Sequence, residues 1–128
     1  MKLLIREPGS DQASALVQSA TELTAASIGY VEARSALGKA ARAGRLSRGR
    51  QSAARAELHE IWGEMTVIDL DDELLTAAGD VAEARRLGAG DAIHLAVALE
   101  LDDPLLVFAA WDEALRNAAR EAGLAVAP

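Results

Sequence analysis

Cysteine is absent from the 128 residues, which excludes disulfides, thiolate metal sites and cysteine nucleophiles together. Aromatic residues make up only 3% of the chain, so any core must be packed from Ala, Leu and Val. With 51% hydrophobic residues there is enough aliphatic material for one domain spanning residues 1–128. No fully apolar run exceeds Leu105 to Trp111, far below the ~20 residues needed to cross a bilayer, so no membrane partner is expected. The stretch from Met1 to Asp11 lacks a basic start followed by an apolar core, so the cytoplasm is the expected compartment. Nucleotide-binding loops are missing too, because Gly88 and Gly90 form neither GxGxxG nor GxxxxGK[ST].

Net charge is −7, which taken alone speaks against a general nucleic-acid binder. The average hides an asymmetry. Arg34, Lys39, Arg42, Arg45, Arg48, Arg50 and Arg55 fall in a stretch without a single Asp or Glu, while the rest of the chain is strongly acidic. One basic surface on an acidic body suits a polyanion; the same arginines could equally coat the solvated faces of two helices.

Periodicity predicts helices alternating with short apolar runs. Glu7-Pro8-Gly9-Ser10-Asp11 reads as a turn, followed by a helix from Asp11 to Ala20 and a short strand from Leu23 to Ile28. A helix from about Ile28 to Ala43 carries Tyr30, Ala33, Leu37 and Ala41 on one face and stops near Gly44. The next, from Ser47 to about Trp62, has Ala54, Leu58 and Ile61 as its stripe. Met65 to Asp69 is a β-branched strand, and Asp71 or Asp72 caps a helix to about Leu87. Gly88-Ala89-Gly90 is expected to break the chain before a buried helix, Ala92 to Leu101, opened by Asp91. Leu105 to Ala110 reads as a buried strand, Asp112 as the cap of a helix to about Glu121, and Leu124 to Ala127 as a last strand. Strands separated by helices imply a parallel sheet covered on both faces, an α/β sandwich, with ligands at the carboxyl ends of the strands.

Three acids stand just after a strand or a glycine turn: Glu32, Asp91 and Asp112. Each has a structural alternative. Asp91 and Asp112 could simply be N-caps, and Glu32 could be an ordinary exposed glutamate beside Ser35, Lys39 and Arg42. In a parallel sheet the three would emerge at one edge, where clustered carboxylates repel unless a cation lies among them. With no cysteine and two histidines, an all-oxygen site suits Mg²⁺ or Mn²⁺, and on a phosphodiester such a site would activate water. His94 reads as a hydrogen-bonded core histidine and His59 as a surface one. Ser10, Ser27 and Ser47 read as caps rather than nucleophiles.

The run Leu87-Gly-Ala-Gly-Asp-Ala-Ile-His-Leu-Ala-Val-Ala-Leu99 resembles the most recognisable motif of PIN-domain ribonucleases, which include the VapC toxins of VapBC toxin–antitoxin pairs. Ala25-Ala-Ser-Ile-Gly-Tyr-Val-Glu-Ala-Arg-Ser-Ala-Leu37 is similar to the family's helix-glutamate segment, and Val107-Phe-Ala-Ala-Trp-Asp-Glu-Ala-Leu115 to its late strand and acid. The resemblance runs from Lys2 to Val126. It implies a three-layer α/β/α sandwich with a short, mostly parallel sheet, and RNA hydrolysis dependent on Mg²⁺ or Mn²⁺. It further implies that Glu32, Asp91 and Asp112 position the metal or the water, that a VapB-like antitoxin occupies the groove, and that the toxin is a homodimer. Arg34, Lys39, Arg42, Arg45 and Arg48 are the candidate RNA-phosphate contacts.

Two departures accompany the resemblance. Lys2 to Ser10 looks like the end of the family's first helix, so the usual first strand and its Asp are expected to be missing here, through truncation or degeneration. Ala109 and Ala110 also stand where a hydroxyl-bearing residue is common before the late acid. A rival expectation is a non-catalytic PIN-like module that binds an antitoxin. A further one is a plain α/β domain whose acids are helix caps.

Overall fold

The computed structural model describes residues 2–128; what the sequence suggests at Met1 lies outside the described residues. The chain divides into two compact units, Met1–Val67 and Ile68–Pro128, each with its own core.

In the N-terminal unit the order is α1 (Ser10–Ser19), β1 (Thr24–Ala26), α2 (Ile28–Arg42), α3 (Arg48–Gly63) and β2 (Thr66–Ile68), whose end leads into the second unit. Gly9 precedes α1 with φ 91°, a left-handed conformation that glycine adopts without a steric penalty. Gly9, not Ser10, is the N-cap residue of α1. The Ser10 hydroxyl accepts from the Glu7 N–H at 3.0 Å and donates to the Ile5 carbonyl at 3.2 Å, tying the loop before α1 to the helix start. Gly44, with φ 71°, ends the first arm of a helical hairpin, and Ser47 starts the second by accepting the Arg50 N–H at 3.2 Å. Ser27 stands before α2 but makes no side-chain cap bond, so the capping expectation holds for Ser47 and not for Ser27. Leu4, Leu37, Ala54 and Leu58 are buried together, with Tyr30, Ala33 and Ile61 packed around them. The helical stripes read from the sequence are thus the faces that meet. Strands β1 and β2 are neighbours, and the Thr66 N–H donates to the Leu23 carbonyl at 2.8 Å.

In the C-terminal unit α4 (Asp72–Arg85), α5 (Ala89–Glu100), β3 (Val107–Ala109), α6 (Glu113–Glu121) and β4 (Ala125–Ala127) follow in order. Asp71 caps α4 by accepting the Leu74 N–H at 2.8 Å, which decides between the two candidate caps. Helix α5 buries Ala92, Leu95, Ala96, Val97 and Ala98, as its nearly all-apolar surface requires. Leu95, Ala110, Leu115, Ala118 and Ala119 form the core, with Phe108, Leu124 and Val126 packed against it. Strands β3 and β4 run parallel in the register Val107↔Ala125, Phe108↔Val126, Ala109↔Ala127, with α6 as their crossover.

Two expectations are corrected here. The break expected at Gly88-Ala89-Gly90 falls instead at Arg86 to Gly88: α5 already begins at Ala89, with Gly88 as its extended N-cap residue. The first turn of a helix has no internal partners for its N–H groups, so glycine there disturbs little. Nor is the strand after Pro104 buried. Leu105 is 87% and Val107 55% exposed, and among the described residues β3 hydrogen-bonds to β4 alone. An apolar strand is covered only when something lies on its other side and faces.

Candidate active site

Glu32 belongs to the N-terminal unit, on α2, where it is exposed. The polar face assigned to it by the helical wheel is the face the structure gives it. It lies two residues from both Tyr30 and Arg34, on a different side of α2 from that pair. Arg34 is half-buried, folded over the Tyr30 ring at 5.8 Å from its centroid, with Nη1 donating to the Tyr30 hydroxyl at 3.4 Å. Tyr30 in turn meets Trp62 edge to face, with centroids 5.4 Å apart. The i,i+4 spacing of Tyr30 and Arg34 foretells their contact; that Trp62 joins them depends on the packing of α3 against α2 and has no signal in local sequence.

Among the cations expected to meet RNA, Arg34 is therefore held in place by its ring, whereas Lys39, Arg42, Arg45 and Arg48 are exposed on and after α2. None of the ion pairs found among the described residues involves these four. Arg50, by contrast, is committed to structure: it pairs with Glu57 at 2.9 Å and donates to the Leu4 carbonyl at 3.2 Å. The helical hairpin thus presents a cationic surface without neutralising partners on its exposed arm.

Asp91 and Asp112 belong to the C-terminal unit, and the structure separates their roles. Asp112 is the N-cap of α6: its Oδ1 accepts the Leu115 N–H at 2.9 Å. One carboxylate oxygen is thereby used, and the carboxylate is exposed. Asp91 is not a cap. It is the third residue of α5, half-buried in the first turn, where the helix dipole favours a negative charge. Asp112→Asn should keep the cap, since Asn serves there as well as Asp, whereas Asp112→Ala should cost about 1 kcal/mol of stability. Thermal unfolding of both variants beside RNA cleavage separates the two contributions. Equal loss of cleavage in both, with destabilisation only in the alanine variant, identifies a carboxylate needed for chemistry.

The donor set is hard oxygen, suited to Mg²⁺ or Mn²⁺. Among the described residues, however, no group of three or more His, Cys, Asp or Glu side chains is gathered closely enough to hold a metal ion. His94, on the same side of α5 as Asp91, is half-buried, and His59 is exposed, as the sequence suggests for His59. No helix among the described residues is long and apolar enough to cross a membrane.

Residues 1–121 match the family described as PIN domain. Two curated proteins of Mycobacterium tuberculosis, Ribonuclease VapC45 of strain CDC 1551 and Ribonuclease VapC49 of strain H37Rv, are each 38% identical to this chain over 128 residues. The match covers 100% of this chain and 89% of each relative.

Proposed function

The chain belongs to the PIN domain family, and on that footing we propose that residues 1–128 form one domain acting as a VapC-type endoribonuclease toxin that hydrolyses RNA phosphodiester bonds. The observation that carries the reading is the identity of 38% along the whole chain to two proteins named as ribonucleases. Asp91 and Asp112 suit the reaction because both are carboxylates at the N-terminal ends of helices, able to orient water and accept its proton. Glu32 is the third acid of the proposal.

The exposed cations Lys39, Arg42, Arg45 and Arg48, with Arg34, would hold the RNA backbone through its charge, which any sequence provides. Arg42→Glu should weaken RNA binding and lower the slope of log affinity against log salt by about 1 for the lost phosphate contact. An unchanged slope would return these arginines to the role of a solvated helix face.

Mg²⁺ or Mn²⁺ is the proposed cofactor, supplying Lewis acidity at the scissile phosphate. The roles proposed for Asp91, Asp112 and Glu32 are those of the carboxylates themselves. A VapB-like antitoxin, a homodimer and the cytoplasm complete the proposal. A second reading is a non-catalytic PIN-like module that acts by binding its antitoxin.

Incubating a structured RNA with the purified chain in Mg²⁺ or Mn²⁺, against an EDTA control, decides between them. Cleavage that EDTA abolishes supports the ribonuclease. No cleavage, together with no heat of Mn²⁺ binding by calorimetry, leaves the binding module.

A further inference from the structure

Aromatic side chains are scarce in this chain: one tyrosine, one phenylalanine and two tryptophans in 128 residues. The N-terminal unit has two of them, Tyr30 and Trp62, and both stand in the helical hairpin of α2 and α3. Among the described residues, Tyr30 and Ile61 pack against the core of that unit and Trp62 does not. Trp62 is half-buried in the last turn of α3, edge to face with Tyr30, with 5.4 Å between centroids and 61° between planes. Arg34 lies over the Tyr30 ring and donates to its hydroxyl. The indole is thus braced by its neighbours yet keeps part of its surface in water, the state in which tryptophan is enriched where proteins meet ligands.

The surroundings say which ligand. Lys39, Arg42, Arg45 and Arg48 are exposed farther along the same hairpin, outside the ion pairs found among the described residues. Arg42 stands eight residues beyond Arg34 on α2, about 12 Å along the helix axis. Exposed cations on the same hairpin as a braced aromatic ring suit a single-stranded nucleic acid: the cations meet its phosphates, and the ring meets a base that has no stacked neighbour. A duplex offers the phosphates alone, because its bases stay paired and stacked within the helix.

We propose that Trp62, braced by Tyr30 and Arg34, stacks on an unpaired base of the bound RNA while the exposed cations of the hairpin hold its phosphates. That the ligand is RNA rests on the ribonuclease reading; the stacking contact itself requires only a single-stranded nucleic acid. The two kinds of contact are separable, because release of counterions from phosphates sets the salt dependence and a stacked base releases none.

The test is binding in EDTA of a single-stranded RNA oligonucleotide, and of the same strand annealed to its complement, over a range of salt concentrations. The full chain is compared with Trp62→Leu and Trp62→Phe. Trp62→Leu should weaken binding of the single strand about 5- to 150-fold and leave its salt slope unchanged, since no phosphate contact is lost. Affinity for the duplex should stay as it was, and Trp62→Phe should keep most of the single-strand affinity. Trp111→Phe gives a second readout with the hairpin untouched, because Trp62 is then the sole tryptophan. Its fluorescence should be quenched as the single strand binds and not as the duplex binds. Unchanged single-strand affinity in Trp62→Leu, an equal loss for both RNAs, or single-strand binding without quenching in Trp111→Phe overturns the proposal and leaves the indole as packing for Tyr30. A full chain that binds neither RNA overturns it as well. Binding is read without cleavage, so the two readings fail separately. Quenching by an RNA that is never cut removes only the ribonuclease, and cleavage without quenching removes only the stacking contact.

Discussion

Asp91→Asn is expected to lower the rate of RNA cleavage by about 10²–10⁴-fold, the range over which a side chain that moves or orients a proton contributes. The substitution keeps the shape of the side chain and removes its charge and its capacity to take a proton. Gly88, not Asp91, is the N-cap residue of α5, so no capping bond is lost. Part of what is lost is a favourable charge in the first turn, about 0.3–1 kcal/mol. Gel-based cleavage in Mg²⁺ or Mn²⁺, paired with thermal unfolding, reads both quantities from one preparation. A variant that cuts RNA at the original rate and unfolds at a much lower temperature would assign Asp91 to the architecture of α5 instead.

Leu95→Ala is the substitution expected to cost most in stability. Leu95 is fully buried at 0% exposure, at the centre of the C-terminal core with Ala110, Leu115, Ala118 and Ala119. Three of the four other buried residues of that core are alanines, which have no side-chain length with which to fill the space a leucine leaves. The loss should fall at about 2–5 kcal/mol, a large part of the ~5–15 kcal/mol that a domain of this kind has in total. Urea unfolding followed by circular dichroism measures it. A loss below about 1 kcal/mol would mean that this aliphatic core does not close as described. Because Leu95 lies one helical turn beyond Asp91 on α5, the same variant should also lose cleavage in proportion to the unfolded fraction, and not beyond it.

Much of the secondary structure was legible because its signals are local. Ser47, Asp71 and Asp112 each sit where a polar side chain can take up an N–H three residues on, and each does so. The stripes Leu37 with Ala33, and Leu58 with Ala54, repeat at helical spacing, and the pairs are the faces that pack. The strands were legible in place but not in extent. Leu105 to Ala110 shortened to Val107–Ala109, since a strand ends where its hydrogen-bonding neighbour does, and β4 offers only Ala125–Ala127.

At the candidate site, residue content and pattern narrowed the chemistry to oxygen donors near a basic hairpin, and the ribonuclease reading came from the resemblance to PIN-domain proteins. Which acid is a cap and which is not could not be read there, because Asp91 and Asp112 both follow an apolar or glycine stretch and both open a helix. Only the start of α5 at Ala89, two residues before Asp91, tells them apart. The same holds for the cations. Arg34, Arg42, Arg50 and Arg116 are indistinguishable by type, yet one rests on Tyr30, one is exposed, one pairs with Glu57 and one keeps a buried nitrogen without an acceptor. Helix periodicity and capping act over four residues, so the order of these residues by itself determined where helices run and which faces are apolar. Burial and partnership depend on side chains brought from distant segments, and only the tertiary structure decided which charges are spent on the fold and which stay exposed.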